Sequence, residues 1–291
     1  MPLPDEFRAR IERALENICE RIGARSATVE THQLLEITGL TVPELLDDVA
    51  TYLVGLRMES VSSLLEVRDA LTDSATDRDE LLRNVVAIVG DPPSSLSPKA
   101  KSDERNPWLA EALWFLCLHA ANYKPALHPY GKIMALAPPH VHPKDHGLDV
   151  AGLFRSDELL GLSAVETKAY ENHPDNALSE AVATFRKMDK GEFDQRARQI
   201  VSLLRQAMTP ADQARVSPSL WQQRRAYIAN PHYDSSTGAQ WTGKRPSLSE
   251  WPKGVVIGAC IMPHPIDGFA AYFDGLALRM YEIAREFASM K

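Results

Sequence analysis

Apolar residues recur at helical spacing from the start of the chain. Phe7, Ile11, Leu15 and Ile18 share one helical face, and Leu34-Leu35, Val42, Leu45-Leu46, Leu53, Leu56, Leu64-Leu65 and Leu81-Leu82 continue the pattern to about Gly90. Thr41 ahead of Val42-Pro43-Glu44 suits an N-cap followed by Pro and an acid in the first turn. No stretch of this region alternates convincingly as a strand does. The pattern predicts a helical accessory unit over residues 1–90, used as an interaction surface. The run from Asp91 to Asp103 is dense in Pro and Ser, so residues 91–106 read as a linker.

Beyond residue 107 the period changes. Trp108 to His119 is an apolar helix behind Asn106-Pro107, and Tyr130 to Ala137 reads as a strand. Gly147 to Phe154 and Leu159 to Tyr170 are apolar, strand-like runs on either side of the turn Arg155-Ser156-Asp157-Glu158, which together predict one hairpin. Helices follow from Asp175 or Asn176 through Met188 and from Phe193 to about Met208. Residues 214–253 hold few apolar runs and read as an insertion. Gly254 to Met262 is a buried strand by composition, and an amphipathic helix runs from Phe269 to about Met290. The predicted class is α/β (α+β), a sheet flanked by helices over residues 107–291, with the helical region before it.

Composition narrows the function classes. The 291 residues carry a net charge of −7, which gives no global attraction to nucleic acid. A nucleic-acid substrate would therefore need a local basic groove, a metal or a partner. Cys19, Cys117 and Cys260 are scattered and sit as small hydrophobes, with no metal-ligand spacing. No run is long and apolar enough for a membrane span, and Met1 to Glu6 lacks the pattern of a signal peptide, so a cytoplasmic location is expected.

The chemistry concentrates at the hairpin. Side chains alternate along a strand, so Glu166 and Lys168 share a face, and a neighbouring strand can bring Asp149 beside them. On a surface strand such a set is a solvated charge pair of little energetic weight. Here the charges close an apolar run, and buried charges need partners or a metal. Two carboxylates suit Mg²⁺, with Mn²⁺ able to substitute, and a nearby amine can position the attacking water or offset charge on a phosphate. Glu111 is either a third carboxylate aimed at that metal or a solvent-facing first-turn acid. His146 lies at the mouth of the same site. His140, His142 and His146 together frame an alternative zinc hydrolase, although prolines interrupt them and no Cys joins them.

Candidate nucleic-acid contacts are Arg186 and Lys187 on the helix after the hairpin, and Arg224, Arg225, Trp241, Lys244 and Arg245 in the insertion. Interleaved cations and rings suit single strands, and equally suit an ordinary packed insertion. The stretch Gly238 to Arg245 matches most of a phosphate-binding loop, but Arg245 stands where the Mg²⁺-binding hydroxyl belongs and no apolar strand precedes it.

The order helix, strand, strand, strand, helix, strand, helix, with Asp149 on the second strand and Glu166-Thr167-Lys168 on the third, resembles the PD-(D/E)XK, or restriction-endonuclease-like, nuclease superfamily. Leu148 replaces the Pro expected before the acid. The resemblance implies a restriction-endonuclease-like core with a central mixed sheet, Mg²⁺ held by Asp149 and Glu166, and Lys168 assisting the attacking water. His146-Gly147-Leu148-Asp149, Val165-Glu166-Thr167-Lys168-Ala169-Tyr170 and the Ala-rich helix from Ala177 to Phe185 are similar to the HamA nuclease family of the Hachiman anti-phage defence system. That similarity implies DNA degradation by an endonuclease working with a HamB-like helicase partner. The alternative of another class is a catalytically silent subunit that docks a helicase or DNA.

Overall fold

The computed structural model describes residues 5–58, 78–140 and 148–289. They form one mixed sheet covered by helices on both faces. The elements used below are α1 (Asp5–Arg21), β1 (Gly23–Val29), β2 (His32–Thr38), α2 (residues 46–58), α3 (Arg78–Val89), α4 (Asn106–Ala120), β3 (Lys132–Leu136), β4 (Val150–Ser156), β5 (Leu159–Ala169), α5 (Pro174–Asp189), α6 (Asp194–Gln206), β6 (Arg225–Asp234), β7 (Val256–Ile261), β8 (His264–Ile266) and α7 (Phe269–Ser289).

The strand order is β1-β2-β7-β6-β5-β4-β3, with β8 pairing the later part of β6. Strands β2, β7, β6 and β5 run parallel in the centre, and antiparallel pairs β1/β2, β5/β4 and β4/β3 close the two sides. The hairpin expected from the period-2 pattern is present: β4 and β5 pair from Val150↔Val165 to Ser156↔Leu159 around a two-residue turn. Asp157 in that turn takes a φ of 53°, a left-handed conformation that Asp tolerates.

Two cores lie on the two faces. Val150, Phe154, Val165, Ala226, Ile228 and Cys260 face α1, α2, α3, α4 and α7. Ala151, Leu153, Leu162, Ala164, Tyr227 and Ala229 face α5 and α6. Helix α4 is apolar on nearly every side because it is buried on nearly every side, from Trp108 to Ala120. Among the described residues no helix is long and apolar enough to cross a membrane.

Three expectations are corrected. The N-terminal region is not purely helical, since residues 23–38 form a hairpin whose second strand pairs with β7. Its polar strand β1 is the exposed edge of the sheet, and β2 buries only His32, Leu35 and Ile37, so strand alternation there is weak in sequence. Packing does not divide at residues 91–106 either. Pro93 is buried, Lys101 to Arg105 lead directly into α4, and Arg105, 2% exposed, pairs with Asp274 of α7 at 2.6 Å. Phe7 of α1 meets Phe287 of α7 with ring centroids 5.1 Å apart, so both ends of the chain share one core.

The third correction concerns residues 214–253. They contain β6, which lies between β5 and β7 and is buried over nine of its ten residues. Its sequence Arg225-Ala-Tyr-Ile-Ala-Asn-Pro-His-Tyr-Asp234 carries Arg, Asn, Pro and His inside a central strand. The Arg, the Asn and the His each find a partner. The Arg225 guanidinium pairs with Asp189 and donates to the Trp221 carbonyl at 2.8 Å, Asn230 donates to the Met262 carbonyl at 2.6 Å, and His232 Nε2 meets Asn230 Oδ1 at 2.6 Å.

Because β2 belongs to the same sheet as the rest of the chain, loss of its packing destabilises the whole. Leu35→Ala, at a site 2% exposed, is expected to cost about 2–5 kcal/mol. Urea unfolding followed by fluorescence and by circular dichroism should shift as one coincident transition, whereas an early separate transition would restore an independent N-terminal unit.

Candidate metal centre

The register of β4 and β5 assembles the site. Val150 pairs with Val165, so continuing one residue further sets Asp149 alongside Glu166 on the same face of the sheet. Lys168 lies two residues on and shares that face. The Lys168 ammonium donates to Glu166 Oε1 at 2.6 Å and lies 3.7 Å from Asp149 Oδ2. Asp149 Oδ2 also accepts the Thr167 backbone N–H at 2.7 Å, which ties the start of β4 to β5. From α5, the Thr184 hydroxyl donates to Glu166 Oε1 at 3.1 Å.

A second pair arrives over the end of the sheet. Glu111, 6% exposed, projects from α4 towards the loop after β3. Its Oε1 accepts the His140 backbone N–H at 2.8 Å, and its Oε2 lies 3.2 Å from His140 Nδ1. Ligand atoms of Glu111, His140 and Asp149 lie within 4.8 Å of one another. Glu111 is thus turned inward and is not a solvent-facing acid. The prolines at 138 and 139 restrict the backbone that presents His140.

A cleft of about 720 Å³ opens above these groups, lined among others by Glu111, His140, Asp149, Glu166, Lys168 and Lys187. Its floor gathers three acids against one lysine. Burial first, then the charge of Asp149, pushes the Glu166 carboxyl up to about 8. Burial, again helped by Asp149, pushes Glu111 up to about 7 although His140 opposes it. Asp149 is likewise raised by burial, against the pull of Lys168. For Lys168 burial acts downward, but Asp149 and Glu166 outweigh it and keep the ammonium charged. One oxygen, Glu166 Oε2, is buried and has no hydrogen-bond partner among the described residues.

These features fit a divalent cation. Carboxylates crowded in a low dielectric cannot all ionise without added positive charge, and an unpartnered buried carboxylate oxygen is costly unless a ligand takes it up. Asp149 and Glu166 supply hard oxygen donors. Glu111 and His140 converge with Asp149, and Glu166 is not in that group; an imidazole among the donors suits Mn²⁺ better than Mg²⁺.

The remaining candidates separate clearly. Lys187 lines the cleft, while Arg186 turns to Glu250 at 3.5 Å. Arg225 is buried in the pair with Asp189, and Trp241, 5% exposed, donates its indole N–H to Tyr233 Oη at 2.8 Å. Arg224 is half-buried, Lys244 pairs with Glu30, and Arg245 pairs with Asp175 at 3.1 Å while covering the Trp241 ring. None of these five lines the cleft; Arg225 and Trp241 are packed into the fold, whereas Lys244 stays exposed. His142 and His146 lie outside the described residues, so of the zinc set only His140 is placed. Two contributors had no usable sequence signal: His140 as a partner of Glu111, and Thr184, whose role depends on α5 crossing β5.

Compared with protein-family models and with curated proteins, the sequence matches none of them.

Two outcomes follow from these charges. Glu111 and Glu166 have folded pKa values above the usual carboxylate value of 4.5, so their contribution to stability is complete below that pH and is lost as pH rises through about 7 and 8. A bound cation favours the ionised acids and reverses that loss. Mn²⁺ at a hundredfold excess over its Kd should stabilise by about 2.7 kcal/mol near pH 8 and by much less near pH 5; thermal melts of the wild type and of Asp149→Asn, which should lose the shift, test this. Arg225→Ala should instead cost about 1.5–3 kcal/mol by removing the charged partner of the half-buried Asp189, which keeps only the Tyr227 hydroxyl; denaturant unfolding measures it.

Proposed function

We propose that the chain is a divalent-metal-dependent nuclease that hydrolyses phosphodiester bonds in DNA, on a restriction-endonuclease-like core. The observation that carries this reading is the convergence of Asp149, Glu166 and Lys168 at one end of the sheet, with Glu166 Oε2 left buried and unpartnered. Asp149 and Glu166 would hold the cation, Mg²⁺ or Mn²⁺, with Glu111 and His140 at its side. When bound, the cation supplies Lewis acidity and lowers the pKa of a coordinated water.

The protein's own groups divide the remaining work. Lys168 is an ammonium, a donor with no acceptor, so it orients the water or phosphate and offsets developing negative charge instead of abstracting a proton. Thr184 and the Thr167 N–H fix the two carboxylates before substrate arrives, which is the preorganisation such electrostatic catalysis needs. Trp108 and Glu111 of α4, with His140, close one side of the cleft.

A helicase partner, as the HamA-like motifs imply, agrees with the charge distribution. Asp103, Glu180 and Glu192 line the cleft and the net charge is −7, so the chain gains little long-range attraction for DNA by itself. Delivery by a bound partner raises the local substrate concentration without altering the chemistry.

The deciding measurement is degradation of plasmid DNA with Mg²⁺ or Mn²⁺. Activity is expected to vanish with EDTA and to fall about 10²–10³-fold in Glu166→Gln and in Lys168→Ala. Cleavage that survives chelation and both substitutions would remove the assignment.

A further inference from the structure

Two recesses meet at His140 and Asp149. One is the 720 Å³ cleft; the other, of about 220 Å³, continues past Pro138, Pro139 and Leu148 to Arg196, Gln199, Ile200 and Leu203 of α6. Together they make one trough that crosses the carboxylates. Its floor is recessed, since Glu166 is 4% exposed and Glu111 6% exposed.

Lys187 of α5 and Arg196 of α6 lie along this trough, and neither forms an ion pair with a described residue. They differ in this from Arg186, Arg225, Lys244 and Arg245, all held by carboxylates. Half-buried rings also line the cleft, Phe193 at the start of α6 and Tyr170 just after β5, whose hydroxyl donates to Glu180 at 2.8 Å. The trough therefore offers two uncommitted cations and two rings beside the acids.

We propose that the site takes single-stranded nucleic acid, with Arg196 and Lys187 contacting its phosphates and Phe193 and Tyr170 stacking on its bases; the inference rests on the nuclease reading of the same carboxylates. A duplex is stiff and carries its phosphates on a convex surface. Lowering one of them to the recessed floor would press the partner strand against the acidic rim of Asp103, Glu180 and Glu192. A flexible single strand descends without that conflict. Stacking of unpaired bases on rings also supplies affinity where phosphate contacts are few.

The test compares a short fluorescein-labelled single strand with the same strand annealed to its complement, by anisotropy with the full-length Lys168→Ala chain in Mg²⁺. The single strand should bind at least about tenfold more tightly than the duplex. Arg196→Gln and Phe193→Leu, which keep the exposed helix and the apolar volume, should each weaken single-strand binding about tenfold, and Arg196→Gln should lower the salt slope by about 0.7. Arg13→Ala, an equal charge change on α1, should leave it unaltered. Equal or tighter duplex binding, or indifference to Arg196→Gln, overturns the proposal. Tight single-strand binding by the wild type without cleavage of either form in Mg²⁺ or Mn²⁺ would leave the single-strand site standing and remove the nuclease reading instead.

Discussion

Everything at the end of the sheet depends on one electrostatic conflict at Asp149, which stands beside Glu111 and His140 on one side and shares the ammonium of Lys168 with the buried Glu166 on the other. A fold selected for stability alone would replace such a cluster with apolar side chains, because desolvated ion groups seldom repay their burial. Its place in a cleft, with backbone and hydroxyl donors already aimed at two of the acids, is what the proposed cation site rests on. The parallel centre of the sheet supplies the rigidity. β5 carries Glu166 and Lys168 on its pairing with β6, and the Thr167 N–H holds Asp149 against it, so the acids have little freedom to move apart and relieve their repulsion.

What could be read from the sequence followed from how plainly burial wrote itself into residue type. The β4-β5 hairpin was legible because an apolar run, a polar turn and a second apolar run leave few alternatives, and the shared face of Glu166 and Lys168 follows from strand alternation alone. Helix α4 was legible for the same reason. β6 was hidden because a central strand holding Arg225, Asn230, Pro231 and His232 violates the rule that buried positions are apolar, and Asp189 and Met262, which satisfy Arg225 and Asn230, are distant in sequence. β1 and β2 were hidden for the opposite reason: they form the exposed side of the sheet and bury too few residues to show a period.

The same distinction separates the two sets of candidate cations. Composition cannot tell an arginine that meets a phosphate from one that neutralises an acid within the fold. Arg225 and Arg245 belong to the second kind because Asp189 and Asp175 reach them, a fact of tertiary structure alone. Arg196, one of several cations along α5 and α6 that the sequence places after the hairpin, lines the recess that ends at Asp149.

The pairing of β2 with β7 has a consequence for how the protein is made. β2 leaves the ribosome long before its neighbour in the sheet, residues 256–261. At ordinary elongation rates the hairpin waits roughly 10–45 s for the strand that completes it. During that interval Leu35 and Ile37, buried in the finished protein, have only local cover. The nascent chain therefore carries an unfinished sheet edge until residues 256–261 emerge, a period in which chaperones or a co-translated partner bear directly on the yield of folded protein.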